Sequence, residues 1–129
     1  MYLGKYQLSF NGHNRITLPK AVRQSIRNKD FVILMEGDGC IWGFGWDEFE
    51  IEAKQKLEKS LWQVEGRIER RKFFSSSVEC ELDRHSRLVI PADLIEKAGI
   101  LEEMVLIGAG DHFEIWAQKK WKETLIQNT

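Results

Sequence analysis

The chain has 129 residues, of which 30% are charged and 43% hydrophobic, with a net charge of -1. That is short for two independently folded domains, and no apolar run is long enough to cross a membrane as a helix. Its two cysteines, Cys40 and Cys80, make no disulfide framework. Met1-Tyr2-Leu3-Gly4-Lys5 lacks the apolar stretch of a signal peptide. A reducing cytoplasm is therefore the expected compartment.

The near-zero net charge hides a strong segregation. Residues 1–30 carry a net +5, residues 31–66 a net -5, residues 67–77 a net +3 and residues 78–129 a net -4. A chain divided in this way is expected to have one basic face.

Tyr6 to Phe10 alternates polar and apolar residues, the period of a half-buried strand. Asn11-Gly12-His13-Asn14 has turn chemistry, since Asn and Gly tolerate positive φ. Arg15 to Leu18 resumes a strand, so residues 6–18 are expected to form a hairpin. Pro19 suits the first position of a short helix, because its missing N–H would be unpaired there anyway. Val22 and Ile26 give that helix an apolar face. Phe31 to Met35 reads as a buried strand, Glu36-Gly37-Asp38-Gly39 as a tight turn and Cys40 to Phe44 as the returning strand. Asp47 is the expected N-cap of a helix with Phe49, Ala53, Leu57 and Leu61 on one stripe. Gly66 is expected to interrupt this connector before the basic run Arg67, Arg70, Arg71 and Lys72.

The plan then repeats. Val78 to Leu82 and Arg87 to Ile90 read as strands about an Asp83-to-Ser86 loop. Pro91 opens a short helix closed by Gly99. Met104 to Ile107 and Phe113 to Trp116 are strands about a glycine turn, and a last helix carries Trp121 and Leu125. His13, Arg15 and Pro19 recur as His85, Arg87 and Pro91, each 72 residues on. Without a gap, Ile33-Leu34-Met35 lies over Val105-Leu106-Ile107, Phe44 over Trp116 and Phe49 over Trp121. Two copies of one unit follow, over residues 1–52 and 78–129, with a helical connector over 53–77. The copies are expected to share one core containing Leu8, Ile16, Leu18, Ile33, Leu88, Ile90, Val105 and Ile107.

The repeated loop is the candidate site. An Asn or Asp where a strand gives way to a loop accepts loop N–H groups, as in an Asx-turn. Asp83 can also pair with Arg87, whereas Asn11 cannot neutralise Arg15 and leaves it freer for a phosphate. The bland reading is a hairpin turn with a surface ion pair worth ~0–1 kcal/mol. Two copies with His and Arg in register favour a shared surface function.

The paired stretches Asn11-Gly12-His13-Asn14-Arg15-Ile16-Thr17-Leu18-Pro19 and Asp83-Arg84-His85-Ser86-Arg87-Leu88-Val89-Ile90-Pro91 resemble the duplicated D-x-x-x-R motif of the MraZ family, within the AbrB/SpoVT swapped-hairpin superfamily. Asn11 departs from the motif acid, and the C-terminal tail is short. The resemblance implies an α+β, mainly β fold, a duplicated AbrB-like swapped-hairpin barrel with peripheral helices. It implies a homo-oligomeric ring that binds tandem promoter repeats of the division and cell-wall gene cluster, usually as a repressor and nucleoid-associated. By the same resemblance Arg15 and Arg87 are the principal contacts to double-stranded DNA. His13, Asn14, His85, Arg84 and Lys20 stand beside them, and Asn11 and Asp83 support the loops.

Other chemistry finds no footing. No His or Cys pair has metal-ligand spacing, and Cys40 lies in an apolar strand without a base, so neither a metal, a cofactor nor an enzyme is expected. No Walker loop or dinucleotide fingerprint is present. The basic run Arg67–Lys72 reads first as a solvated face, next as a partner of the acids in 47–65, and last as a DNA contact. The alternative function is a ring-forming scaffold without DNA binding.

Overall fold

Strand β1 (Lys5–Ser9) does not pair with β2 (Arg15–Thr17). The hairpin expected over residues 6–18 is a swapped one. The computed structural model, which describes residues 1–27 and 29–128, continues with α1 (Lys20–Ser25), β3 (Phe31–Gly37), β4 (Cys40–Phe44), α2 (Trp46–Lys56) and α3 (Val64–Ser75). The second copy supplies β5 (Val78–Glu81), β6 (Arg87–Val89), α4 (Ala92–Ala98), β7 (Glu103–Gly108), β8 (Phe113–Ala117) and α5 (Gln118–Gln127). The last residue of the short tail, Thr129, lies outside the described residues.

The strands make a six-stranded antiparallel sheet in the order β1-β7-β8-β4-β3-β5, and a two-stranded ribbon of β2 with β6. β1 of the first copy thus pairs with β7 of the second, and β5 of the second with β3 of the first. The registers match through the 72-residue offset: Tyr6 faces Leu106 as Val78 faces Leu34, and Leu8 faces Met104 as Cys80 faces Val32. At the centre Trp42 faces Glu114, and in the ribbon Ile16 faces Leu88. Each of these last pairs joins a residue to its own counterpart, which places a local two-fold between the copies. The ribbon touches both edge strands, β1 and β5, so sheet and ribbon close as a swapped-hairpin barrel of α+β class. A tight strand edge left open would invite pairing with other chains; closure removes it.

Side-chain alternation along the strands sorts the core. Ile16, Leu18, Val32, Leu34, Leu88, Ile90, Met104 and Leu106 fill the interior, with Leu8 packed against them. Ile33 instead faces outward into a second cluster with Met35, Phe44, Phe49 and Ala53 under α2. Val105 and Ile107 likewise join Cys40, Trp116 and Trp121 under α5. The expected single core is therefore three clusters. A continuous apolar run such as Phe31 to Met35 is apolar because both faces of β3 are covered, one by the barrel and one by a helix.

Local expectations needed adjustment at the helix ends. Pro19 and Pro91 are the N-caps of α1 and α4, one residue ahead of the first helical position. Gly45, not Asp47, caps α2, and Asp47 and Glu48 sit in its first turn, where the helix dipole favours carboxylates. Glu48 also accepts the Tyr2 hydroxyl at 2.5 Å, tying the N-terminus to α2. Gly99 closes α4 with φ 67°, as expected of a left-handed cap. Gly66 does not interrupt a helix. It is buried inside α3, and a Cβ there would stand 2.2 Å from the Ser60 carbonyl oxygen. The break lies before it, over 57–63, and Leu57 and Leu61 are about half exposed rather than packed on the α2 stripe.

Candidate nucleic-acid interface

Because β2 and β6 pair antiparallel, the two motif loops flank one short ribbon, each next to the end of the other copy's strand. Arg15 stands opposite Val89, and Thr17 opposite Arg87. Asn14 and Ser86, each at a positive φ (56° and 62°), turn their carbonyls toward the other copy. Leu18 N–H donates to the Ser86 carbonyl at 2.8 Å, and Ile90 N–H donates to the Asn14 carbonyl at the same distance. Neither loop is closed by its own copy alone. This reciprocal pairing escaped sequence reading, although Asn14 as a tolerant left-handed residue was a usable signal.

The second loop is clamped by its acid. Asp83 Oδ1 accepts the N–H groups of His85 (2.8 Å) and Arg87 (2.9 Å), and Oδ2 accepts Arg87 Nε–H at 2.7 Å. Hydrogen bonds from the Arg87 backbone N–H, then from the guanidinium and the His85 N–H, outweigh desolvation and lower the Asp83 carboxyl to about 2. Asp83 is therefore ionised at any physiological pH.

The first loop is built differently. Arg15 Nε–H donates to Asn11 Oδ1 at 3.1 Å, and Arg15 Nη2–H to the Asn11 carbonyl at 2.8 Å. The Asn11 amide donates to the Thr17 hydroxyl instead of gathering loop N–H groups. The Asn11 N–H still closes onto the Arg15 carbonyl at 2.8 Å, as Asp83 N–H does onto Arg87 at 3.0 Å. Gly12 is required here: its φ is 154°, and a Cβ would meet the Arg15 guanidinium at 3.1 Å. The backbone closure is thus shared between the loops, while the charge and the side-chain bonds of the clamp are not.

Arg15 and Arg87 converge on one open groove of about 650 Å³, lined also by Glu79, Glu81, Asp83 and Val89. Both side chains are partly exposed. A guanidinium has five N–H donors in a planar fork, and the bonds above leave most of them on each Arg for an outside acceptor. His13 and His85 are exposed at the loop tips, with His13 beside the Asn14 amide at 3.4 Å. Arg84 is exposed next to the Arg23–Asp30 ion pair, and Lys20 is exposed at the start of α1. The nine residues singled out from sequence thus lie on the two loops, at the first position of the strands that follow them (Arg15 and Arg87) or at the start of α1 (Lys20).

Two residues of the connector's basic run, Arg67 and Arg70, are engaged elsewhere. Arg67 donates to the Leu61 carbonyl at 3.1 Å, and Arg70 to the Leu57 and Lys59 carbonyls at 3.4 and 2.8 Å. These guanidinium groups close the carbonyls of the break between α2 and α3. Among the described residues neither pairs with an acid; backbone capping takes the place of both the solvated face read first and the partnership with residues 47–65 read second. Lys59, inside the break, pairs with Glu69 at 3.4 Å. Trp42 packs its ring 5.3 Å from that of His112, whereas Trp62 is 86% exposed. Among the described residues no cluster of three His, Cys, Asp or Glu is arranged to hold a metal ion. No described helix is long and apolar enough to cross a membrane.

Residues 73–128 match the family described as "MraZ protein, putative antitoxin-like". Over 95% of this chain, a protein of Clostridium beijerinckii named transcriptional regulator MraZ is 38% identical, with 86% of its own length covered. A namesake from Syntrophomonas wolfei is 37% identical over the same share, with 85% of its length covered. A third, from Caldicellulosiruptor saccharolyticus, is 31% identical across 100% of this chain and 90% of its own. With likeness of this degree running through both copies and both loops, the chain belongs to the MraZ family.

Proposed function

We propose that the chain is a cytoplasmic, sequence-specific DNA-binding transcriptional regulator whose paired loops contact promoter DNA. The observation that carries this reading is the convergence of Arg15 and Arg87 on one groove, each held by its own loop and both loops closed by each other's copy. Arg is suited to the task, since its planar fork grips a phosphate or a guanine edge with two bonds. His13, Asn14, His85, Arg84 and Lys20 surround the two Arg residues and supply further phosphate or base contacts. The relatives, named transcriptional regulators, support the same reading. The operator is the tandem repeat array before the division and cell-wall gene cluster, and the effect is repression with association to the nucleoid.

One protomer offers few basic groups, so its own affinity is weak, with non-specific Kd of about 10⁻⁴–10⁻⁶ M. A closed homo-oligomeric ring displaying the loops to tandem sites raises this by roughly 10²–10⁴ without new contacts. Self-association is supported by apolar residues exposed along the connector helices and their break, Leu57, Leu61, Trp62, Val64 and Ile68. The same surface favours the second reading, a ring scaffold that binds no DNA. Gel-shift titration of the promoter duplex over a range of salt separates them. A DNA binder loses affinity steeply as salt rises, because phosphate contacts release counterions; a scaffold binds no duplex at any salt.

A further inference from the structure

The two copies share their backbone but not their charge. From Lys5 to Arg27 the first copy carries five basic residues (Lys5, Arg15, Lys20, Arg23 and Arg27) and no acid. The matching span, Ser77 to Gly99, carries three basic residues and five acids, Glu79, Glu81, Asp83, Asp93 and Glu96. The substitutions fall at equivalent, exposed positions: Gln7 against Glu79, Ser9 against Glu81, Asn11 against Asp83, Ala21 against Asp93. Gln7 and Glu79 occupy the same register on their strands, as do Ser9 and Glu81. The local two-fold of the barrel is therefore broken electrostatically, and three of the acids, Glu79, Glu81 and Asp83, line the groove that holds both Arg residues.

The clamps differ in the same sense. Arg87 is held by an ionised carboxylate that also orders its loop through two backbone N–H groups, and Glu79 and Glu81 line the same groove. Its charge is compensated and its direction fixed. Such a guanidinium gains little from a phosphate but loses little freedom when it meets a base edge. Arg15 lines that groove too, but its direct partners are a neutral amide and a carbonyl, so no carboxylate bonds it and more of its charge remains for a phosphate.

From this we infer a division of labour within each protomer: the first copy anchors the DNA backbone through Arg15, and the second reads base edges through Arg87. Asn11 and Asp83 are the positioning residues that set the two roles. The protomer then sits on the duplex in one orientation, despite its nearly symmetric fold. This inference rests on the DNA-binding reading above and assigns roles within that site.

The test exchanges the clamps and leaves both Arg residues in place. Asn11→Asp and Asp83→Asn proteins, each checked for unchanged size and circular dichroism, are titrated with the promoter duplex and a scrambled duplex across a salt series. Asn11→Asp is expected to flatten the salt dependence by about one unit of slope per anchored protomer while preserving discrimination between the duplexes. Asp83→Asn is expected to cut that discrimination on the order of tenfold without flattening the slope. Equal effects of the two substitutions on slope and discrimination, or the reverse assignment, overturn the division of labour. A wild-type protein that binds neither duplex overturns the DNA-binding reading itself, which is a separate result.

Discussion

Ile16 lies directly opposite Leu88 in the β2–β6 ribbon, and the two are each other's counterparts in the repeat. Both are essentially inaccessible to solvent. They sit under the motif loops, one residue beyond Arg15 and Arg87, so the same packing that completes the barrel also aims the site. Truncating either leaves a cavity next to the other. Leu88→Ala is expected to cost about 2–5 kcal/mol, measured by urea unfolding, and to loosen both loops together. Faster amide exchange at one loop with the other unaffected would contradict a shared support.

The Asp83 clamp makes a pH prediction. Its folded carboxyl value, about 2, lies below that of an unfolded aspartate, about 3.9. The stabilisation it gives is then fully present above the unfolded value and is lost as pH falls through about 2. Carbon-detected NMR titration of the Asp83 carboxyl is expected to give a midpoint well below 3.9, with the His85 and Arg87 amide shifts following the same curve. Arg87→Ala is expected to move that midpoint upward, since it deletes the guanidinium but spares the backbone donors. A midpoint at the unfolded value in the intact protein would rule the clamp out.

Much of this arrangement was legible in the sequence, because the repeat imposes it. Equal spacing of His13 and His85, Arg15 and Arg87, and Pro19 and Pro91 located both loops before any strand pairing was known. The pairing itself was not legible from the residues. Local alternation in Tyr6 to Phe10 and Arg15 to Leu18 specifies strands but carries no information about partners, and two adjacent strands read as a hairpin by default. Resemblance to swapped-hairpin proteins supplied the exchange. Ile33 and Val105 were misassigned to one core for a related reason: in a strand covered on both faces, apolar character does not say which face is which. Arg67 and Arg70 were read as surface charge because a break between helices, with its open carbonyls, cannot be seen in a composition.

The connector makes a prediction about assembly. Trp62 is 86% exposed, and Ile68 and Val64 are more than half exposed, along the outer side of the connector. This exposed apolar surface is the observation behind the proposed self-association. Light scattering is expected to report a stable oligomer at micromolar concentration, and Trp62→Glu with Ile68→Glu is expected to reduce its mass without altering circular dichroism. A monomeric wild-type protein across that range would remove the ring from the proposal and, with it, the gain in affinity from linked sites.

The sharpest prediction concerns the two Arg residues. Arg15→Ala and Arg87→Ala are each expected to abolish specific binding of the promoter duplex while leaving secondary structure and oligomer mass unchanged. The fold should survive because both side chains are partly exposed and neither belongs to the buried clusters. The Asp83–Arg87 ion pair is itself solvent-facing, with 39% and 34% of the side chains exposed, and such pairs contribute little to stability. Loss of binding is expected to be large because each Arg is repeated on every protomer that engages a tandem site, so a small deficit per contact multiplies through the linked assembly. Asp83→Ala is expected to weaken binding less and indirectly, by freeing the loop that aims Arg87. Arg84→Ala and Lys20→Ala are expected to lower affinity uniformly across sequences and to reduce the salt slope. Gel-shift titration of each variant, read beside circular dichroism and sizing, measures all of these. Binding at full strength by the double variant Arg15→Ala/Arg87→Ala would end the assignment of the DNA site to these loops and leave the scaffold in its place.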